Sequence, residues 1–195
     1  MQKAFPSLID QTPEDRPVLE PVAHGFGRDR LTLYIGNLAA AEDAGMLQAA
    51  GVTASLNVAL NVFPMPLALA DGTHMRRYQI GLTDGPGNDP SVLAAAVLTL
   101  HGLVETYTEG KPHYPPNRRG NILVHCRAGQ SRSATVLALY LHICRPRDYP
   151  RLGDSLVHIR RCRGMDERYP LAPMIALAEQ ALPMLAAISG RAEAR

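Results

Sequence analysis

The sequence predicts an α/β domain, a central, mostly parallel sheet of about four to five strands flanked by helices. Three observations lead there. Short apolar and β-branched runs alternate with longer stretches of helical period from residue 31 onward. The run Ile122-Leu123-Val124 passes through a glycine-containing loop straight into the apolar stretch beginning at Ala134, which reads as strand, tight loop, helix. The chain has 195 residues and is 46% hydrophobic, enough for one domain with a proper core, and no internal repeat is visible.

Residues 1–28 are proline-rich and charged without a period, and read as an N-terminal extension. The domain is expected over 29–188, with 189–195 as a C-terminal tail. Strands are expected at 31–35, 52–58, 76–80 and 121–125. A helix over 40–50 is closed by Gly51. A better defined one spans 90–107, with Asn88 or Asp89 as cap, Pro90 in its first turn and Gly110 beyond its end. Leu93, Val97, Leu100, Val104 and Tyr107 fall at helical spacing and should face a core. Later helices are expected at 131–143, 153–161 and 173–187, and two proline-marked loops, 63–74 and 111–120, as exposed connections.

The chemistry concentrates in His125-Cys126-Arg127-Ala128-Gly129-Gln130-Ser131-Arg132-Ser133, where a cysteine and an arginine stand six positions apart. A loop entering a helix N-terminus turns successive backbone N–H groups into one concavity, which binds anions. Cys126 sits at the floor of such a concavity, and Arg132 can grip two oxygens of a tetrahedral oxyanion bidentately. The same positive field favours the thiolate, the nucleophilic form of cysteine.

The motif resembles the active-site loop of the cysteine-dependent protein tyrosine phosphatases, most closely the dual-specificity branch: His-Cys, five residues, Arg, then Ser or Thr. His125, Cys126, Gly129, Arg132 and Ser133 match it residue by residue. The segments Leu33-Tyr34-Ile35-Gly36-Asn37-Leu38 and Ser55-Leu56-Asn57-Val58-Ala59 look like the family's opening strand–helix–strand unit, so the resemblance covers roughly residues 30–180. It implies a phosphatase-like fold, a phosphocysteine intermediate and no cofactor. It further implies that Ser133 helps the cysteine leave, and that Asp84, on the Gly/Pro-rich loop after the 76–80 strand, is the general acid.

Chemistry requires such an acid, because an alkoxide or phenolate leaves poorly unless protonated as the P–O bond breaks. Asp89 is the rival, better suited to capping the next helix. Gly129 should take a conformation, or allow an approach, that a Cβ would obstruct. Ser131 should cap the helix or shape the loop, and Arg127, Ala128 and Gln130 should line the substrate with Gly129, Ser131 and Arg132. His125 should act indirectly, through hydrogen bonds that hold the loop, while Arg118-Arg119 and Arg160-Arg161-Arg163 could extend a positive rim.

A net charge of +2 is too small to argue for nucleic acid or an acidic membrane surface as partner. Residues 171–188 are the most apolar, but Pro173, Glu179, Gln180 and Pro183 interrupt them, so no membrane span is expected. Three cysteines without paired spacing, and no apolar leader, suggest a reducing, cytoplasmic setting. No metal is expected, since His158 and Cys162 lie four apart without further ligands. Cys144 or Cys162 could be a redox partner of Cys126 or simply a buried small hydrophobe. The activity implied is hydrolysis of phosphorylated protein at tyrosine and serine/threonine. Phospholipid head groups, or mere binding of phosphorylated partners by an inactive module, are the alternatives. Oligomeric state is left open.

Overall fold

The computed structural model describes residues 16–189. Five strands form one sheet: β1 (Leu19–Phe26), β2 (Leu31–Gly36), β3 (Val52–Ala59), β4 (Arg76–Leu82) and β5 (Asn121–His125). Their order is β1-β2-β5-β3-β4, with β1 antiparallel to β2 and every other pair parallel. The α/β, mostly parallel expectation therefore holds. In such sheets ligands bind beyond the carboxyl ends of the strands. The ends of β2, β5 and β3 lie side by side, because Gly36, His125 and Asn57 are in register.

Helices α1 (Leu38–Glu42) and α2 (Ala44–Ala49) join β2 to β3, α3 (Pro90–Glu105) joins β4 to β5, and α4 (Arg132–Cys144) follows β5. Helices α5 (Leu152–Arg163) and α6 (Ala172–Ala181) complete the helical layer, with a 3₁₀ segment, Leu182–Ile188, at its end. The main core lies between the sheet and α3 to α6. A smaller cluster of Ala41, Leu47, Val52, Leu69, Met75 and Leu123 packs on the other face. Helix α4 is central, and of its thirteen residues only His142 escapes full burial.

The structure corrects several expectations. Within 1–28, Leu19–Phe26 is a strand rather than irregular chain, and residues 1–15 lie outside those described, as do 190–195 of the tail. Two register shifts break the alternation of β1, and Pro21 is tolerated because β1 is an edge strand. The single helix over 40–50 is two, because Asp43 is extended and its side chain accepts from the Met46 N–H at 2.9 Å to start α2. Helix α3 stops at Glu105. Extended Thr106 ends it, and the Arg119 guanidinium takes the carbonyls of Leu103 and Val104 at 3.2 and 2.6 Å. Tyr107 thus lies outside the helix and is partly exposed rather than core. The last helix gives way to the 3₁₀ segment where Pro183 lacks an N–H for the α ladder.

Candidate active site

Strand β5 is hydrogen-bonded on both sides, so it delivers the chain to a fixed point at the centre of the sheet. Beyond His125 the chain leaves the sheet, and the loop 126–131 turns into α4. Cys126 is 2% exposed at the floor of this loop. Two outward carbonyls anchor the loop: that of Arg127 accepts from the Leu38 N–H at 3.0 Å, and that of Ala128 from Arg163 Nη2 at 3.1 Å. Gly129 has φ +69°, and a Cβ there would stand 2.5 Å from the Gly36 carbonyl oxygen. The glycine is needed for its conformation and for its seating on the end of β2.

Arg132 is 5% exposed. Its Nη1 donates to Asn61 Oδ1 at 3.1 Å and to the Leu82 carbonyl at 3.3 Å, which fixes the guanidinium. Its Nε is buried with no partner among the described residues. Leaving such a donor unsatisfied costs on the order of 1–3 kcal/mol or more, which an oxyanion seated in the loop would relieve. Ser133 Oγ lies 3.4 Å from Cys126 Sγ.

Ser131 does not cap α4 through its side chain; its Oγ accepts from the Leu171 N–H at 3.2 Å, tying the loop to the start of α6. Arg127 is exposed, while Ala128 and Gln130 are half-buried. His125 is fully buried. Burial pushes its pKa down to about 4; the bond to the Cys126 carbonyl opposes this and the Arg77 charge adds to it. Its Nδ1 donates to that carbonyl at 3.4 Å, so the proton is assigned to Nδ1, and Nε2 has no partner among the described residues.

Asp84 is exposed on the loop after β4, two residues beyond the Leu82 carbonyl that holds Arg132. Asn88 closes this loop. Its Oδ1 accepts from the Thr83 N–H at 2.9 Å, and its Nδ2 donates to the carbonyls of Thr83 and Gly85, both at 3.0 Å. Nδ2 also lies 3.7 Å from Met174 Sδ on α6. The α3 cap is therefore Asp89, which accepts from the Ser91 N–H at 2.8 Å. The hydroxyl and N–H of Ser91 hold its carboxyl below the usual range. Asn61 and the Leu82 carbonyl were missed in the sequence, and Asn88, offered there as a helix cap, instead closes the loop after β4.

Of the arginines expected to form a positive rim, Arg163 is the one seen to reach the loop, through the Ala128 carbonyl. Arg118 and Arg119 precede β5 and so lie at the amino end of that strand, opposite the loop, with Arg118 paired to Asp71 at 3.1 Å. Arg160 turns to the Tyr169 carbonyl at 2.6 Å. Cys144 is buried at the far end of α4, about 20 Å along the helix from the loop, beyond disulfide reach of Cys126. Burial pushes its thiol up to about 11. Cys162 is half-buried, 3.5 Å from His158 Nε2, which also lies 2.7 Å from the Val22 carbonyl. Among the described residues no three His, Cys, Asp or Glu gather as a metal site requires, and no helix is long and apolar enough to cross a membrane.

No family model matches the chain. Among curated proteins, mouse dual specificity protein phosphatase 13B is 34% identical over 114 residues, covering 57% of this chain and 52% of the relative. The human counterpart is 31% identical over 115 residues, covering 58% and 53%. The chain thus spans about half the length of the curated relatives it matches. Among solved structures, a mouse putative dual specificity phosphatase complexed with zinc tungstate gives a TM-score of 0.62 at 22% identity, covering 93% of this chain and 94% of that one. Human DUSP28 gives 0.57 at 23% identity, covering 85% and 98%. The resemblance to the dual-specificity branch extends from the loop to the whole fold.

Proposed function

We propose that the chain is a cysteine-dependent phosphomonoester hydrolase acting on phosphorylated protein at tyrosine and serine/threonine, in a reducing, cytoplasmic setting and without a cofactor. The observation that carries the reading is the pairing of a floor cysteine with a clamped arginine. Arg132 is held through Nη1 while its buried Nε has no acceptor among the described residues. In the first step the Cys126 sulfur attacks phosphorus, the S–P bond forming as the ester P–O bond breaks. Arg132 and the loop N–H groups hold the equatorial oxygens. Asp84 gives its proton to the departing oxygen. In the second step water attacks phosphorus, its proton passes to Asp84, and the S–P bond breaks. Ser133, 3.4 Å from the sulfur, donates to the departing thiolate.

One observation favours a lipid substrate as second reading. Leu60, Phe63 and Met65 are 54%, 73% and 71% exposed on the segment that carries Asn61, an apolar edge suited to a bilayer surface. The test is a panel of phosphopeptides, phosphoinositide vesicles and a chromogenic aryl phosphate, assayed with and without EDTA. Cys126→Ser should abolish turnover while retaining inorganic phosphate binding, and rapid quench of the wild type should trap phosphate on Cys126. A Cys126→Ser variant turning over near the wild-type rate overturns the mechanism. Turnover of vesicles alone selects the lipid reading.

A further inference from the structure

Arg163 is the last residue of α5, and its position is set by how that helix stops. Gly164 adopts φ +66°, and the N–H of Met165 returns to the Arg160 carbonyl at 2.9 Å, a left-handed helix end. The side chain crosses to the loop, where Nη2 donates to the Ala128 carbonyl at 3.1 Å. The guanidinium is half-buried, and its Nε is buried without a partner among the described residues. Burial lowers its pKa, opposed by the negative charges of Glu20 and a Cys126 thiolate, so it lies within electrostatic reach of the sulfur.

A trans peptide is planar, with C=O and N–H pointing in opposite directions. Holding the Ala128 oxygen toward α5 therefore turns the Gly129 N–H away from α5, into the loop. The Leu38 N–H does the same through the Arg127 oxygen for the N–H of Ala128. Helix α5, eight elements beyond β2 in the chain, thus helps set the direction of a donor in the loop.

We propose that Arg163 is a positioning residue for oxyanion binding, holding the Ala128–Gly129 peptide with its N–H directed into the loop and adding positive charge beside Cys126. This rests on the phosphatase reading above. Binding energy for phosphate depends on donors already aimed at its oxygens, since donors that must first reorient lose that advantage. The clamp is one charge-assisted hydrogen bond, so its loss should weaken oxyanion binding by about 10-fold or more.

The experiment compares wild type with Arg163→Lys, Arg163→Gln and Arg163→Met, by calorimetric binding of inorganic phosphate and tungstate, aryl phosphate kinetics and thermal unfolding. A second readout is the rate of Cys126 alkylation by anionic iodoacetate relative to neutral iodoacetamide. Arg163→Gln and Arg163→Met should weaken both oxyanions and raise KM, with Tm nearly unchanged, and should lower the iodoacetate preference. Arg163→Lys should keep that preference, because it keeps the charge, and recover part of the oxyanion affinity. Wild-type affinities and alkylation ratios in a folded Arg163→Gln overturn the inference and leave the phosphatase reading standing. A wild type that binds oxyanions but does not turn over removes the phosphatase reading alone, since the binding arm still tests the clamp. A wild type that neither binds nor turns over removes both.

Discussion

His125 should make stability depend on pH in a defined window. It is fully buried beneath the loop, and its pKa is pushed down from the ordinary 6.5 to about 4. In the unfolded chain the same side chain takes up a proton as pH falls through its ordinary value, while the folded chain resists until near pH 4. The unfolded state therefore binds more protons between these values. Stability is fully present above pH 6.5 and is lost as pH falls through the window. At about 1.4 kcal/mol per tenfold difference in proton affinity, the loss by pH 4 is on the order of 3 kcal/mol. The assay is urea unfolding from pH 7.5 to 4.5 under reducing conditions, for wild type and His125→Gln. The exposed carboxylates titrate alike in both, so the difference between the two slopes isolates residue 125. The wild type should lose stability more steeply below pH 6.5. Parallel curves would refute the buried, neutral imidazole.

Two further perturbations probe the loop and the acid. Gly129→Ala forces a Cβ to 2.5 Å from the Gly36 oxygen at φ +69°. It should destabilise by roughly 2–5 kcal/mol from left-handed strain and overpacking and abolish phosphate binding; wild-type Tm in denaturation would show that the loop does not seat on β2 as described. Asp84→Asn should cost on the order of 10²–10⁴ in kcat/KM on alkyl or unactivated aryl phosphates, and much less on an aryl ester with a good leaving group. Equal loss on both esters, in steady-state assays, would assign Asp84 to loop geometry instead.

What could be read in the sequence was local in origin. Strand β5 is legible because a strand buried on both faces is a continuous apolar run, and it spans Asn121–His125 as expected. The loop is legible because Cys126, Gly129, Arg132 and Ser133 occupy fixed spacings in one continuous segment. Strand β1 was hidden because bulges break its period and Pro21 argues against a strand. The break at Asp43 was hidden because a cap depends on local backbone angles that an alanine-rich run does not reveal.

The sequence by itself determined the layered α/β class, the strand–loop–helix unit and the residues inside the loop, since these depend on periodicity and on neighbours in the chain. Only the tertiary structure decided what surrounds the loop. Asn61 and the Leu82 carbonyl restrain Arg132 from two other segments, and Gly36 determines why residue 129 must be glycine. Among the five arginines that could have formed a positive rim, the fold turns Arg163 onto the loop and sends Arg118 to Asp71 and Arg160 to Tyr169. Such partners are fixed by packing between segments far apart in the chain. A hydrogen bond three ångströms long carries no trace in the spacing of residues dozens of positions away.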